Sequence, residues 1–265
     1  MKPYKLFLLD MDGTIYLGNQ LFPYVKEMLS TIAYNQGKVK YITNNSSKSV
    51  SAYIDKLNHF GISTTKEDFY TSSMATARYL KNHHKDALVY LVGTTSLKEE
   101  LEQEGILVTE SIEDSIGVIL IGYDTELTYQ KLYDITYLLT KRDLPYIATN
   151  PDKTCPTEFG FVPDCGSFVD MIENATKKRP FFIGKPNPMM IDYAIQTTPF
   201  SKEETLVIGD RLHTDILSGI NASVDTCLVL TGESTIEEAN TTVFPPKYIF
   251  NTIGDVYEAY KKAIK

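Results

Sequence analysis

Apolar positions near the start of the chain come in two spacings, and their alternation predicts the fold. Leu6, Phe7, Leu8 and Leu9 form an unbroken apolar run that Asp10 ends, which reads as a short buried strand. Val25, Met28, Leu29, Ile32 and Ala33 then recur at helical spacing and stop before Gly37. Val39 to Ile42 is the next strand. A helix from about Ser47 carries Val50, Ile54 and Leu57 on one face and stops at Gly61, the usual place for a left-handed cap. This β-α-β-α opening implies a parallel sheet covered by helices.

The pattern restarts in the middle of the chain, with strands at Leu88 to Val92, Val118 to Ile121 and Tyr146 to Ala148. Helices fall between them at Leu97 to Glu104 and Tyr129 to Leu139. After Lys185 come a helix at Met189 to Ile195, a strand at Leu206 to Ile208, a helix at Ile216 to Ala222 and a strand at Cys227 to Leu230. A last helix spans Val256 to Ile264. No repeat, low-complexity tract or Gly/Ser-rich linker marks a boundary. The 265 residues exceed the usual single-domain mode of about 100 to 150, so two domains or one large α/β domain are expected.

Composition narrows the function classes. The apolar share of 43% and charged share of 23% are those of an ordinary globular protein. A net charge of -8 with scattered basic residues argues against nucleic acid as a partner. No apolar stretch approaches the roughly 18 residues of a membrane span, and the Leu6 to Leu9 run is too short for a secretory core. Cys155, Cys165 and Cys227 are odd in number and show no C-x-x-C spacing, so no disulfide framework or zinc knuckle is expected. A reducing cytoplasm is the expected compartment.

Four segments could carry chemistry. Asp10-Met11-Asp12-Gly13-Thr14 directly follows a buried strand, and in an open parallel sheet the ligand crevice lies beyond the carboxyl ends of the strands. The plainer reading is an Asp-Gly turn. Thr43-Asn44-Asn45-Ser46-Ser47 leads from a strand into a helix; it suits a helix cap, and equally an anion held by free backbone N–H groups. Gly184-Lys185-Pro186-Asn187-Pro188 offers one ammonium, which by itself means little beyond solvation. Gly209-Asp210-Arg211-Leu212-His213-Thr214-Asp215-Ile216 places Asp210 at another strand end, with Asp215 either favouring a helix start by its charge or joining a cation site.

Taken in this order, the four segments resemble the four motifs of the haloacid dehalogenase (HAD) superfamily. D-M-D-G-T, I-T-N-N-S, G-K-P-N-P and G-D-R-L-H-T-D-I resemble its class IIA, NagD-like and 4-nitrophenylphosphatase-like phosphatases. The resemblance implies a doubly wound, Rossmann-like parallel-sheet core over residues 1–79 and 184–265, interrupted by an α/β cap domain over residues 80–183. It implies a magnesium-dependent phosphatase in which Asp10 is the nucleophile and Asp12 the general acid and later base. The metal is then held by the Asp10 carboxylate, the Asp12 backbone carbonyl and Asp210. Thr43, Asn44 and the Asn45 backbone match positions that hold phosphoryl oxygens, and Lys185 the lysine that balances their charge. Asp215 matches a residue that supports the metal water and Lys185. His213 has no matching role. In the cap loop that starts at Thr149, Asn150 or Asp152 is a candidate for substrate contact.

One departure from the family pattern is Asn221-Ala222-Ser223, where an Ala-Gly pair is expected at the helix end; serine suits a left-handed conformation less well. A phosphomutase of the same superfamily is the nearest rival, and a phosphoaspartate signalling domain a more distant one. The implied partner is a small phosphorylated metabolite, with no nucleic acid and no membrane. The natural substrate, the cap residues that would touch it and homo-oligomerisation stay open.

Overall fold

The run Leu6–Leu9 is a strand with all four side chains buried, as an unbroken apolar stretch requires when both faces of a sheet are covered. In this computed structural model, which describes residues 1–157 and 159–265, it lies at the middle of a six-stranded sheet. The order is Tyr248–Phe250, Asp225–Val229, Thr205–Gly209, Leu6–Leu9, Lys38–Thr43 and Phe69–Thr71. The first five strands pair in parallel, with Leu9 opposite both Ile208 and Tyr41. The carboxyl ends of the central strands therefore point the same way, at neighbouring positions.

Contacts divide the chain into two units: Met1–Thr43, Ile54–Tyr70 and Lys185–Lys265 form the first, Asn44–Tyr53 and Thr71–Gly184 the second. Residues 44–53 and 71–79 thus group with the inserted segment. The second unit has its own parallel five-stranded sheet, ordered Phe181–Phe182, Tyr146–Ala148, Ile116–Ile121, Leu88–Val92 and Val108–Thr109. Its core joins Ile119, Ile121, Ile135, Leu138, Val169 and Ile172, all buried. Two parallel α/β sheets, the second inside the sequence of the first, match the expected fold class.

Local differences from the predicted elements have identifiable causes. The last helix is Ile253–Ala263, three residues earlier than its apolar pattern suggests, because Thr252 and Asp255 form a reciprocal capping box. The second unit also holds helices Ser72–His83 and Cys165–Thr176, capped by the side chains of Thr71 and Asp164. A hairpin of Thr154–Thr157 against Gly160–Pro163 immediately precedes the second of these helices. At the helix ending near Asn221, Ser223 does take the left-handed conformation (φ 59°), and the Val224 N–H closes onto the Gly219 carbonyl at 2.8 Å. The left-handed turn forms there with a residue that fits it less well than glycine. No helix among the described residues is long and apolar enough to cross a membrane.

Candidate active site

Asp10 leaves the Leu6–Leu9 strand with its N–H donating to the Ile208 carbonyl at 2.9 Å, which ties it to the strand that ends just before Asp210. Asp215 follows on a single π-type turn, Leu212–Ile216. The side chains converge: one carboxylate oxygen from each of Asp10, Asp210 and Asp215 lies within 4.8 Å of the others. Gly209 is required for this approach, since a Cβ there would stand 2.2 Å from the Asp215 Cβ.

Lys185 is the cation of the cluster and is itself buried. Its ammonium donates to Asp10 Oδ1 at 2.7 Å and to Asp215 Oδ1 at 2.5 Å. The other Asp215 oxygen accepts the Arg211 N–H at 3.2 Å. Asp210 accepts the Glu233 N–H at 2.8 Å and, more loosely, the Thr14 hydroxyl at 3.4 Å. Gly232 makes room for it: a Cβ there would fall 1.9 Å from Asp210 Oδ2. Thr231 donates to the Gly13 carbonyl at 2.6 Å and so joins this loop to the first motif.

Charge is unbalanced here. Burial, then the neighbouring Asp215, pushes the Asp10 carboxyl well above the usual range, although Lys185 pulls the other way. The same two causes push Asp210 up to about 7, against the Glu233 N–H. Burial works against the Lys185 charge, but Asp10 and Asp215 outweigh it and hold the ammonium above its ordinary range. Two buried carboxylates, a third that is partly buried and one ammonium leave excess negative charge on hard oxygen donors. Such a donor set suits a divalent metal ion.

Asp12 stands outside this trio, its side chain 48% exposed. It accepts the Tyr16 hydroxyl at 3.1 Å, and the Lys56 ammonium lies 3.7 Å from its other oxygen. Thr43 is a buried residue at the end of Lys38–Thr43. Asn44 and Asn45 belong to the second unit. The Asn44 amide donates to Asp152 at 2.7 Å, while the Asn45 side chain accepts the Ser47 N–H at 2.9 Å in a local turn that starts the next helix.

Two further expectations fare differently. Asn150 is wholly buried and its amide is spent on Asp152 and Asp164, at 2.9 and 3.1 Å, so it braces its own loop. Asp152 keeps a partly exposed side chain. His213 is exposed and rests its ring edge-on against Phe244, centroids 5.4 Å apart. Burial pushes the Cys165 thiol up to about 12 and Cys227 higher still, which leaves both unreactive. The sequence reading missed Thr231-Gly232-Glu233. Its signal was present: a polar Thr-Gly step just beyond an apolar strand, as at Gly209-Asp210.

Comparison with known proteins places this chain among relatives. A family model described as haloacid dehalogenase-like hydrolase matches residues 7–107, and a HAD-hydrolase-like one matches residues 182–256. An acid sugar phosphatase of Staphylococcus haemolyticus is 36% identical over 254 residues, covering 96% of this chain and 95% of the relative. The structure of a 4-nitrophenylphosphatase from Thermotoga maritima superposes with a TM-score of 0.92 at 36% identity, covering 97% of this chain and 98% of that one. NagD from E. coli K-12 superposes with a TM-score of 0.86 at 29% identity, covering 96% and 98%.

Proposed function

The chain belongs to the haloacid dehalogenase-like hydrolases, among the NagD-like class IIA phosphatases, and from this we propose a magnesium-dependent enzyme that moves phosphoryl from a small phosphomonoester to Asp10 and then to water. The observation that carries the reading is the largely buried cluster of Asp10, Asp210 and Asp215, with Lys185 on Asp10 and Asp215. Sugar phosphates are the first substrate class to examine, given the relatives' names.

In the first step an Asp10 oxygen attacks phosphorus as the bond from phosphorus to the leaving oxygen breaks, and Asp12 delivers its proton to that oxygen. In the second, Asp12 takes a proton from water while the water oxygen attacks phosphorus. The bond to Asp10 breaks, and inorganic phosphate leaves. Lys185, held to Asp10 and Asp215, balances charge on the transferring group. Thr43, Asn44 and the Asn45 backbone are the proposed holders of the phosphoryl oxygens. Asp10, Asp210 and the Asp12 carbonyl would hold magnesium, with Asp215 in support; bound there, it supplies the positive charge that lets an anionic nucleophile approach an anionic ester. The second unit, as cap, would select the leaving group. Three free cysteines accord with a reducing cytoplasm as the compartment.

The experiment is phosphate release from 4-nitrophenyl phosphate and a panel of sugar phosphates, ranked by kcat/KM. Magnesium should be required, chelator should stop turnover, and fresh magnesium should restore it. Turnover that survives chelation overturns the metal assignment.

A further inference from the structure

Asp12 is the only carboxylate of the first motif that the buried cluster does not hold, and half of its side chain is open to solvent. Left alone, such a side chain would exchange between rotamers, and a proton donor must be aimed before it is useful. Two residues outside the four motifs stand against it. The chain turns sharply after Asp12: Gly13 has φ 84°, its N–H donates to the Tyr16 carbonyl at 2.8 Å, and the Ile15 N–H returns to the Met11 carbonyl at 3.0 Å. This fold-back lays Tyr16 alongside Asp12, and the Tyr16 hydroxyl donates to Asp12 Oδ2 at 3.1 Å.

The phenol is itself fixed. Tyr16 is buried, opens a short hairpin with Gln20–Leu21, and packs on Phe60 with ring centroids 5.5 Å apart. One helical turn before Phe60, the Lys56 ammonium stands 3.7 Å from the centre of the Tyr16 ring and 3.7 Å from Asp12 Oδ1. It holds the ring by cation–π attraction and draws the free carboxylate oxygen to its own side. Both oxygens of Asp12 are therefore directed, one by a hydroxyl that donates and one by a charge at longer range.

Resting on the reading of Asp12 as the proton donor, we infer that Tyr16 and Lys56 are positioning residues that set the Asp12 rotamer and with it the aim of its carboxyl at the leaving group. Neither touches the reacting atoms. Their effect should follow how much the leaving oxygen needs a proton. A sugar or glycerol phosphate must expel a strongly basic alkoxide, whereas 4-nitrophenyl phosphate expels a weakly basic phenolate. Since kcat/KM reports steps up to loss of the leaving group, the comparison isolates the first proton transfer.

The test measures kcat/KM on both esters for wild type, Tyr16→Phe, Lys56→Met and Lys56→Arg, with a thermal melt of each. Tyr16→Phe keeps the buried ring and should lose about 10- to 100-fold on the alkyl ester, part of the total that general acid catalysis supplies, and under about 3-fold on the 4-nitrophenyl ester. Lys56→Met should show the same asymmetry at roughly 3- to 10-fold, and Lys56→Arg should recover most of it. Equal losses on the two esters, or no loss on the alkyl ester, would overturn the inference. Lys56 is partly exposed, so its variants decide the matter even if Tyr16→Phe melts early. A wild type that cleaves neither ester would instead refute the phosphatase reading, a separate result.

Discussion

Around Asp10, three clustered carboxylates have one ammonium, which touches two of them; around Asp225, in the same unit, one carboxylate is shared by two ammonium groups and a phenol. Lys2, Lys247 and Tyr4 each reach Asp225 Oδ2 at 2.7 Å. The two clusters perturb their carboxyls in opposite directions. Asp210 is pushed up to about 7, chiefly by burial and Asp215. Burial also works upward on Asp225, but hydrogen bonds from Lys2, Lys247 and Tyr4 outweigh it and bring the group down to about 2. A carboxylate whose charge is more than compensated asks for no further cation and serves to tie the first residues of the chain to the Asp225–Val229 strand. An unbalanced, desolvated cluster has room for a cation, and that imbalance is what makes it the candidate working site.

The sharpest way to break this contrast is to remove charge from the unbalanced side. Asp10→Asn should lose activity by roughly 10,000-fold or more, as happens when one member of a catalytic unit is deleted. It should still melt cooperatively and no earlier than wild type without metal, because a desolvated negative charge has gone. Steady-state rates and a calorimetric scan check both halves. Retained activity would unseat the nucleophile, and an early melt would show that the cluster is stabilising after all.

A metal titration probes the same imbalance with a smaller effect. Asp210 has a folded pKa of about 7 against an ordinary value of about 4, so between these limits the folded state binds more protons than the unfolded. Stability from this group is therefore greatest below pH 4 and declines as pH rises through about 7. Magnesium should reverse the decline. At about 100 times its Kd it contributes ~2.7 kcal/mol, or roughly 5 to 10 °C in Tm at pH 8. At pH 5 protons occupy the same oxygens, and the shift should shrink to less than half. Equal shifts at the two pH values would contradict the raised carboxyl.

Much of the unbalanced site was legible before any coordinates, and the reason is topological. In a parallel sheet the strand ends converge, so a carboxylate directly after each apolar run is enough to bring Asp10 and Asp210 together. What surrounds them was not legible. The Glu233 N–H on Asp210 is a backbone donor, and almost any residue type could supply it. Tyr16 and Lys56 meet through a turn and a helix whose relative placement no local spacing encodes. Asn44, matched to phosphate by its motif, spends its amide on Asp152, 108 positions away. At Ser223 the chemistry of the residue argued against a conformation that the surrounding turn imposes. Local patterns report which side chains emerge at strand ends; they are silent on which distant groups then hold them.

The gentlest test lies on the side where the carboxylate is compensated. Asp225→Asn keeps the shape and one acceptor but removes the charge that two lysines share. The pairs are partly exposed, and solvent screening limits what each contributes, so a loss of about 1 kcal/mol is expected near neutral pH, with catalytic rate within about twofold of wild type. The pH dependence should run opposite to that of Asp210. A folded pKa of about 2 against an ordinary value of about 4 makes this contribution full above pH 4 and lost as pH falls through 2. Urea melts of both proteins at pH 6, 4 and 2.5 should therefore converge as acid is added. If the difference instead widened in acid, Asp225 would belong with the strained carboxylates, and charge balance would no longer separate a structural cluster from a catalytic one.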